Sequence, residues 1–174
     1  MINIKRRQLI KTGMAGSVVL LATAWLAAPM DDYPVAVSGM RLDFLHAADG
    51  QIIRSIAPVM LGVAGLPLDA VVLGVDRAIS VLIPAVQQEL RQLFDLLANR
   101  WARWWLAGVR SPWAMAQAGE LSRFLQRWQN SSLLLLRSAY QALHALINAA
   151  WFGNPASWGA LGYQQPGQIM SLLP

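Results

Sequence analysis

No cysteine occurs anywhere in the 174 residues, and charged side chains make up only 13% of them. The first absence excludes disulfides, Cys-ligated zinc or iron–sulfur centres, a thiol nucleophile and a lipid anchor on an N-terminal cysteine. Sparse charge, set against 56% hydrophobic positions, excludes a disordered linker or tail, and the length suits one compact domain. Histidine is scarce as well: His46 and His144 stand far apart, with no second histidine at helical spacing from either. A histidine metal site therefore has little to build on. A Gly-x-Gly-x-x-Gly turn after a strand, a phosphate loop and a Gly-x-Ser-x-Gly elbow are also missing. Asp43, Asp49, Asp69, Asp76, Glu89, Asp95 and Glu120 are spaced singly, and the expectation is that they sit at helix starts or on exposed faces without forming a carboxylate pair. On this reading the chain is not itself an enzyme and holds no metal or cofactor.

Fourteen basic residues against nine acids give a net charge of +5 and a pI near 10.4. Lys5, Arg6, Arg7 and Lys11 crowd into the first eleven positions, which leaves ten arginines against the nine acids. A body so close to neutral offers little to neutralise phosphates, so nucleic acid is not an expected partner.

Residues 1–30 read as a targeting segment: the basic cluster Lys5-Arg6-Arg7, an apolar stretch from Met14 to Ala28, and small residues at Ala22, Ala24, Ala27 and Ala28. Arg6-Arg7 followed by Leu9, Ile10 and Lys11 resembles a twin-arginine export signal. The resemblance implies folding before export, the twin-arginine translocase as a partner, and a periplasmic address. Beyond the leader, the uncharged run Ser55 to Leu68 is too short to span a bilayer, and the stretch from Ser138 onward carries Gln141, His144, Asn148 and Asn154. Membrane contact is thus expected through the leader, attached or not to the inner membrane.

Residues 31–174 read as a single all-α domain, a compact bundle of about five helices with an irregular C-terminal arm. Apolar positions recur at three- and four-residue spacing from Asp43 to Gly62 and again from Leu68 to Asn99, where Pro84 is expected to separate two helices. Ser111-Pro112 reads as a cap with proline at the first helical position, opening a block that runs to Phe152 with a possible break at Asn130-Ser131. In the last helix Leu136, Tyr140, Leu143, Ile147 and Trp151 form an apolar stripe beside a polar one of Arg137, Gln141, His144 and Asn148.

Tryptophan is abundant, with seven of eight after the leader. In Arg100-Trp101-Ala102-Arg103-Trp104-Trp105, a continued helix puts Trp101 and Trp105 on the face of Leu97 and leaves Trp104 beside Arg100 and Arg103, whose guanidinium groups are placed to stack on the rings. Two readings stay open: the three rings close a small core, or Trp104 belongs to a partner surface. The end of the chain, Trp151-Phe152-Gly153-Asn154-Pro155 through Trp158 to Gly162-Tyr163-Gln164-Gln165-Pro166, carries rings, glycines and prolines but no charge. Such a segment is either tucked under the domain or covered by another protein.

Arg6-Arg7, Phe44-Leu45 with Asp49, Trp151-Phe152-Gly153, Trp158 and the Gly162-Tyr163-x-x-Pro166 close together resemble the small subunits of periplasmic flavin-dependent dehydrogenases of sugars, sugar acids and alcohols, the group that includes gluconate 2-dehydrogenase subunit 3. The resemblance implies a non-catalytic subunit that binds a large flavoprotein dehydrogenase of the glucose–methanol–choline type and escorts it through export. FAD is then expected in the large partner, and a cytochrome c subunit is a possible further member of the complex. Trp104, Arg137, His144, Trp151, Trp158 and Tyr163 are the residues expected at the partner surface. The rival expectations are a membrane-anchored helical scaffold with an uncleaved leader, and a small enzyme or ligand carrier built around His144, Arg137 and Asn148.

Overall fold

The computed structural model describes residues 40–158. Within them the chain is helical and forms no strand, in agreement with the expected all-α class. Five helices carry the body: α1 (Ala47–Leu61), α2 (Leu68–Ser80), α3 (Pro84–Ala98), α5 (Ala118–Gln129) and α6 (Leu134–Phe152). Between α3 and α5 lie a short helix α4 (Arg100–Ala102), a π-helical turn (Arg103–Ala107) and a 3₁₀ turn (Trp113–Met115); α7 (Pro155–Trp158) closes the described chain. The leader and the arm from Gln164 lie outside the described residues.

The boundaries follow local chemistry. Pro84 takes the first position of α3, where its missing N–H costs nothing, so the long apolar block divides into two helices as expected. The break between α5 and α6 falls at residues 130–133, and Gly153-Asn154 separates α6 from α7. Ser111-Pro112 differs from expectation. It leads into the 3₁₀ turn rather than a long helix, because the Trp113 ring is drawn into the core, where its Nε1–H donates to the Leu97 carbonyl at 2.9 Å.

One continuous core joins the helices. Ile52, Ile53 and Ile56 of α1 meet Val71, Val72, Val75 and Ile79 of α2, with Phe94, Leu97, Phe124, Trp128, Leu143 and Ile147 supplied by α3, α5 and α6. Phe124 stands edge-on to both Trp113 and Trp128, with centroids 5.8 and 4.8 Å away. Burying each such side chain contributes about 1.5–3 kcal/mol before conformational entropy is set against it.

α2 and α6 approach closely at Gly74 and Ala150. A Cβ built on Gly74 falls 2.8 Å from the Cβ of Ala150 and 3.1 Å from its Cα, so the absence of a side chain lets the two backbones touch. Gly74→Ala is therefore expected to destabilise the fold by about 1–2 kcal/mol even though alanine is the better helix former. Part of that loss returns when Ala150→Gly is added, a coupling that urea unfolding of the double-mutant cycle measures. Strictly additive effects contradict the contact.

Asp49 stands at a helix start, as expected, but is buried there, and Asp76 departs from the expectation of helix starts or exposed faces. Asp49 is 1% exposed and Asp76 is 3% exposed. Asp76, near the end of α2, accepts the backbone N–H groups of Phe44 and Leu45 on Oδ1 at 3.0 and 2.8 Å and that of Asp43 on Oδ2 at 2.9 Å. It thereby fastens the strand-like entry to α1 onto a helix some thirty residues away. A carboxylate fed by three amides can be buried because each lone-pair direction lost to water is met by a donor.

Candidate functional site

Polar groups converge at one place in the body. Asp49, in the first turn of α1, accepts the His46 N–H on Oδ2 at 2.7 Å, an N-terminal capping contact. Arg91 of α3 reaches the same carboxylate, with Nη1 2.7 Å from Oδ2 and Nη2 2.9 Å from Oδ1, and its Nε donates to Asp95 at 2.9 Å. The guanidinium also lies 5.7 and 5.9 Å from the Phe44 and Phe94 ring centres. Burial pulls the Arg91 pKa down, but the hydrogen bonds and charges of Asp49 and Asp95 outweigh it, and the net direction is up. A raised arginine pKa means that its share of stability is complete below the ordinary arginine range and is lost only at still higher pH. Every member of the cluster is engaged with another, which is the arrangement of a structural clasp joining α1 to α3.

Elsewhere the polar residues are dispersed. Arg54 and Asp69 line an open depression with Leu66, Pro67 and Leu68, but they pair with each other at 2.7 Å. Among the described residues no group of three or more His, Asp or Glu side chains is placed to hold a metal ion. Nor, among them, is any helix long and apolar enough to cross a membrane.

The surface is more distinctive than the interior. Asn99 interrupts the α3 direction with an extended backbone, and its Oδ1 accepts the N–H groups of Trp101 and Ala102, which starts a new turn. The π-helical turn follows and ends at Gly108, whose φ of 63° is the left-handed conformation that suits glycine. This widened turn draws Arg103 and Ala107 inward and leaves Trp101, Trp104, Trp105 and Leu106 exposed, Trp105 at 73%. One expectation is corrected here. Trp101 and Trp105 do not join Leu97 in the core, because Asn99 and the π turn break the 3.6-residue register; Arg103 is buried. The three indoles touch one another instead, with centroids 6.1 Å apart for Trp101–Trp104 and 5.5 Å for Trp104–Trp105.

A second surface runs along α6. Leu134, Arg137, Gln141, His144, Asn148 and Phe152 recur at three- and four-residue spacing beside the buried stripe, with Leu134 69% and Phe152 50% exposed. The imidazole of His144 stacks on Tyr140 at 5.7 Å, Arg137 donates to the Ser131 carbonyl, and the Asn148 side chain caps the His144 carbonyl at 2.7 Å. Leu133 and Leu135 add to the apolar end of this face.

The residues expected at a partner surface are thus distributed. Trp104 stands on the tryptophan ridge, and Arg137 and His144 on the exposed side of α6. Trp151 is corrected: at 5% exposure it is part of the core, as its place on the α6 apolar stripe requires. Trp158 is half-buried, its Nε1–H donating to the Phe152 carbonyl at 2.9 Å. Tyr163 and the leader residues Arg6, Arg7, Leu9 and Lys11 lie outside the described residues. Trp101, Trp105, Leu134 and Phe152 were not anticipated as surface features. The run Leu133–Leu136 held the signal, since four consecutive leucines cannot all face one core. No family model, curated protein or solved structure matches the chain.

Proposed function

We propose that the chain is a non-catalytic small subunit that binds a large FAD-dependent dehydrogenase of the glucose–methanol–choline type, escorts it through twin-arginine export and stabilises the complex in the periplasm. The observation that carries the proposal in the fold is the face of α6: a folded, well-cored helix that leaves Leu134 and Phe152 in solvent at either end of a polar stripe. Exposed large apolar side chains next to polar hydrogen-bonding groups are features of protein interaction surfaces. The leader with Arg6-Arg7 and the uncharged segment from Trp151 to Pro166 support the same reading from the two ends of the chain.

The test is to isolate the tagged full-length chain from its native cell, record the absorbance of whatever accompanies it and identify that material by mass spectrometry. A yellow complex containing a large flavoprotein is expected. Leu134→Glu combined with His144→Glu, both at exposed positions, is expected to cut the recovered flavin by about tenfold or more while leaving the helical circular dichroism of the chain unchanged. Recovery of the wild-type chain alone and colourless overturns the proposal. Flavin recovery unaffected by the α6 variant overturns the assignment of the face.

A further inference from the structure

The charge of the described body is segregated. Residues 40–99 carry four arginines against six acids, and residues 100–128 carry five arginines against one. In the first stretch Arg91 engages Asp49 and Asp95 and Arg54 engages Asp69, while the exposed Arg41 and Arg77 form no ion pair with a carboxylate among the described residues. In the second, Glu120 is turned onto the backbone N–H groups of Arg110 and Ser111. Arg100, Arg110, Arg123 and Arg127 are exposed and form no ion pair with a carboxylate among the described residues. A near-neutral total therefore conceals a basic stretch of chain.

That stretch also carries the tryptophan ridge. The C-terminal end of α5 meets the π turn, with the Trp128 Nε1–H donating to the Leu106 carbonyl at 3.0 Å and the Arg127 guanidinium donating to the carbonyl of Ala107 beside Gly108. Arg123 stands one turn before Arg127 on the same helix. The Arg127 guanidinium is thus held at the turn that bears the exposed indoles, with Arg100 immediately before the ridge and Arg110 shortly after it in the chain.

We infer that the ridge of Trp101, Trp104, Trp105 and Leu106 is a membrane-interface docking site, inserted among the headgroups of an anionic phospholipid bilayer while the flanking arginines pair with lipid phosphates. An indole has a broad apolar body and one N–H donor, which is why tryptophan settles at headgroup depth. Guanidinium groups match phosphate geometry and are drawn to a negative surface. The ring planes are tilted by 46° and 60° to one another rather than set as parallel platforms for stacked bases. The chemistry that fits is therefore a lipid surface. The inference does not depend on the flavoprotein partner, since the α6 face is left for other contacts.

The absence of cysteine makes the test direct. A single environment-sensitive fluorophore is placed on the full chain through Trp105→Cys, and a control through Glu89→Cys on the exposed side of α3. With vesicles of phosphatidylglycerol and phosphatidylethanolamine, the probe at position 105 is expected to brighten several-fold and shift to the blue, and the probe at position 89 to stay unchanged. Vesicles of phosphatidylcholine alone are expected to give a far weaker response at position 105. Raising salt from about 50 to about 500 mM, or adding Arg110→Glu with Arg123→Glu, is expected to reduce the response by about fivefold or more. Several outcomes overturn the inference: a silent probe at position 105 on vesicles that nonetheless carry the chain, equal responses at both positions, or a probe at position 105 already shielded without lipid by the chain itself or a second copy. A response to single-stranded oligonucleotide in place of vesicles does so as well.

Discussion

Replacing Arg6 and Arg7 together by lysine is expected to hold both this chain and the dehydrogenase activity of its partner in the cytoplasm, reducing the periplasmic activity to background. Lysine keeps the positive charge, so a leader recognised only by its basic end and apolar run continues to work, whereas one read through paired guanidinium groups does not. Because the partner is proposed to travel as a passenger, the loss extends to a protein whose own sequence is untouched. Fractionation of the cells, followed by flavin-linked dye reduction in each compartment, measures it. Normal periplasmic activity in the double variant refutes the escort role.

The largest effect on stability is expected at Asp76. Asp76→Ala leaves three amide donors, on Asp43, Phe44 and Leu45, without their acceptor and detaches the entry to α1 from α2. Hydrogen bonds to a charged group are each worth roughly 1.5–3 kcal/mol, and with partial access to water the combined loss is expected to be about 4 kcal/mol. That is a large part of the total stability of an ordinary domain. Asp76→Asn is expected to cost less, about 2 kcal/mol. Its remaining carbonyl oxygen can still receive Phe44 and Leu45, while the new amide faces the Asp43 N–H donor to donor. The urea midpoints of the two variants should therefore fall in the order wild type, asparagine, alanine, with unchanged slopes. Midpoints that coincide with the wild type contradict the role assigned to this carboxylate.

The two buried acids also indicate where the sequence was legible and where it was not. The period of apolar residues located the helices, and the boundaries at Pro84, at residues 130–133 and at Gly153-Asn154 were marked by residues whose backbone chemistry is local. Asp49 and Asp76 were harder. Each shares a face with core residues, Ile52 and Ile53 in one case and Val72 and Ile79 in the other, so the spacing itself placed them inside. What makes that placement tolerable is remote: Arg91 for Asp49, and the amides of residues 43–45 for Asp76. No periodicity reveals a partner thirty or forty residues away. The tryptophan ridge failed for a different reason. A 3.6-residue repeat was carried through Asn99 and into Arg103–Ala107, where the backbone is interrupted and then wound more widely. Every side chain beyond the interruption is rotated from its expected direction, which is how Arg103 came to be buried and Trp105 exposed. Of the residues expected at the partner surface, the exposed pair on α6 could be read from its polar stripe, whereas Trp151 belonged to the apolar one.

The contact between Asp76 and residues 43–45 has a mechanical side. A force applied to the chain ahead of Asp43 does not first reach the end of α1, where one turn after another could unravel. It is delivered first to the three hydrogen bonds that tie residues 43–45 to Asp76 on α2, so the load is shared with a second helix before it reaches the first turn of α1.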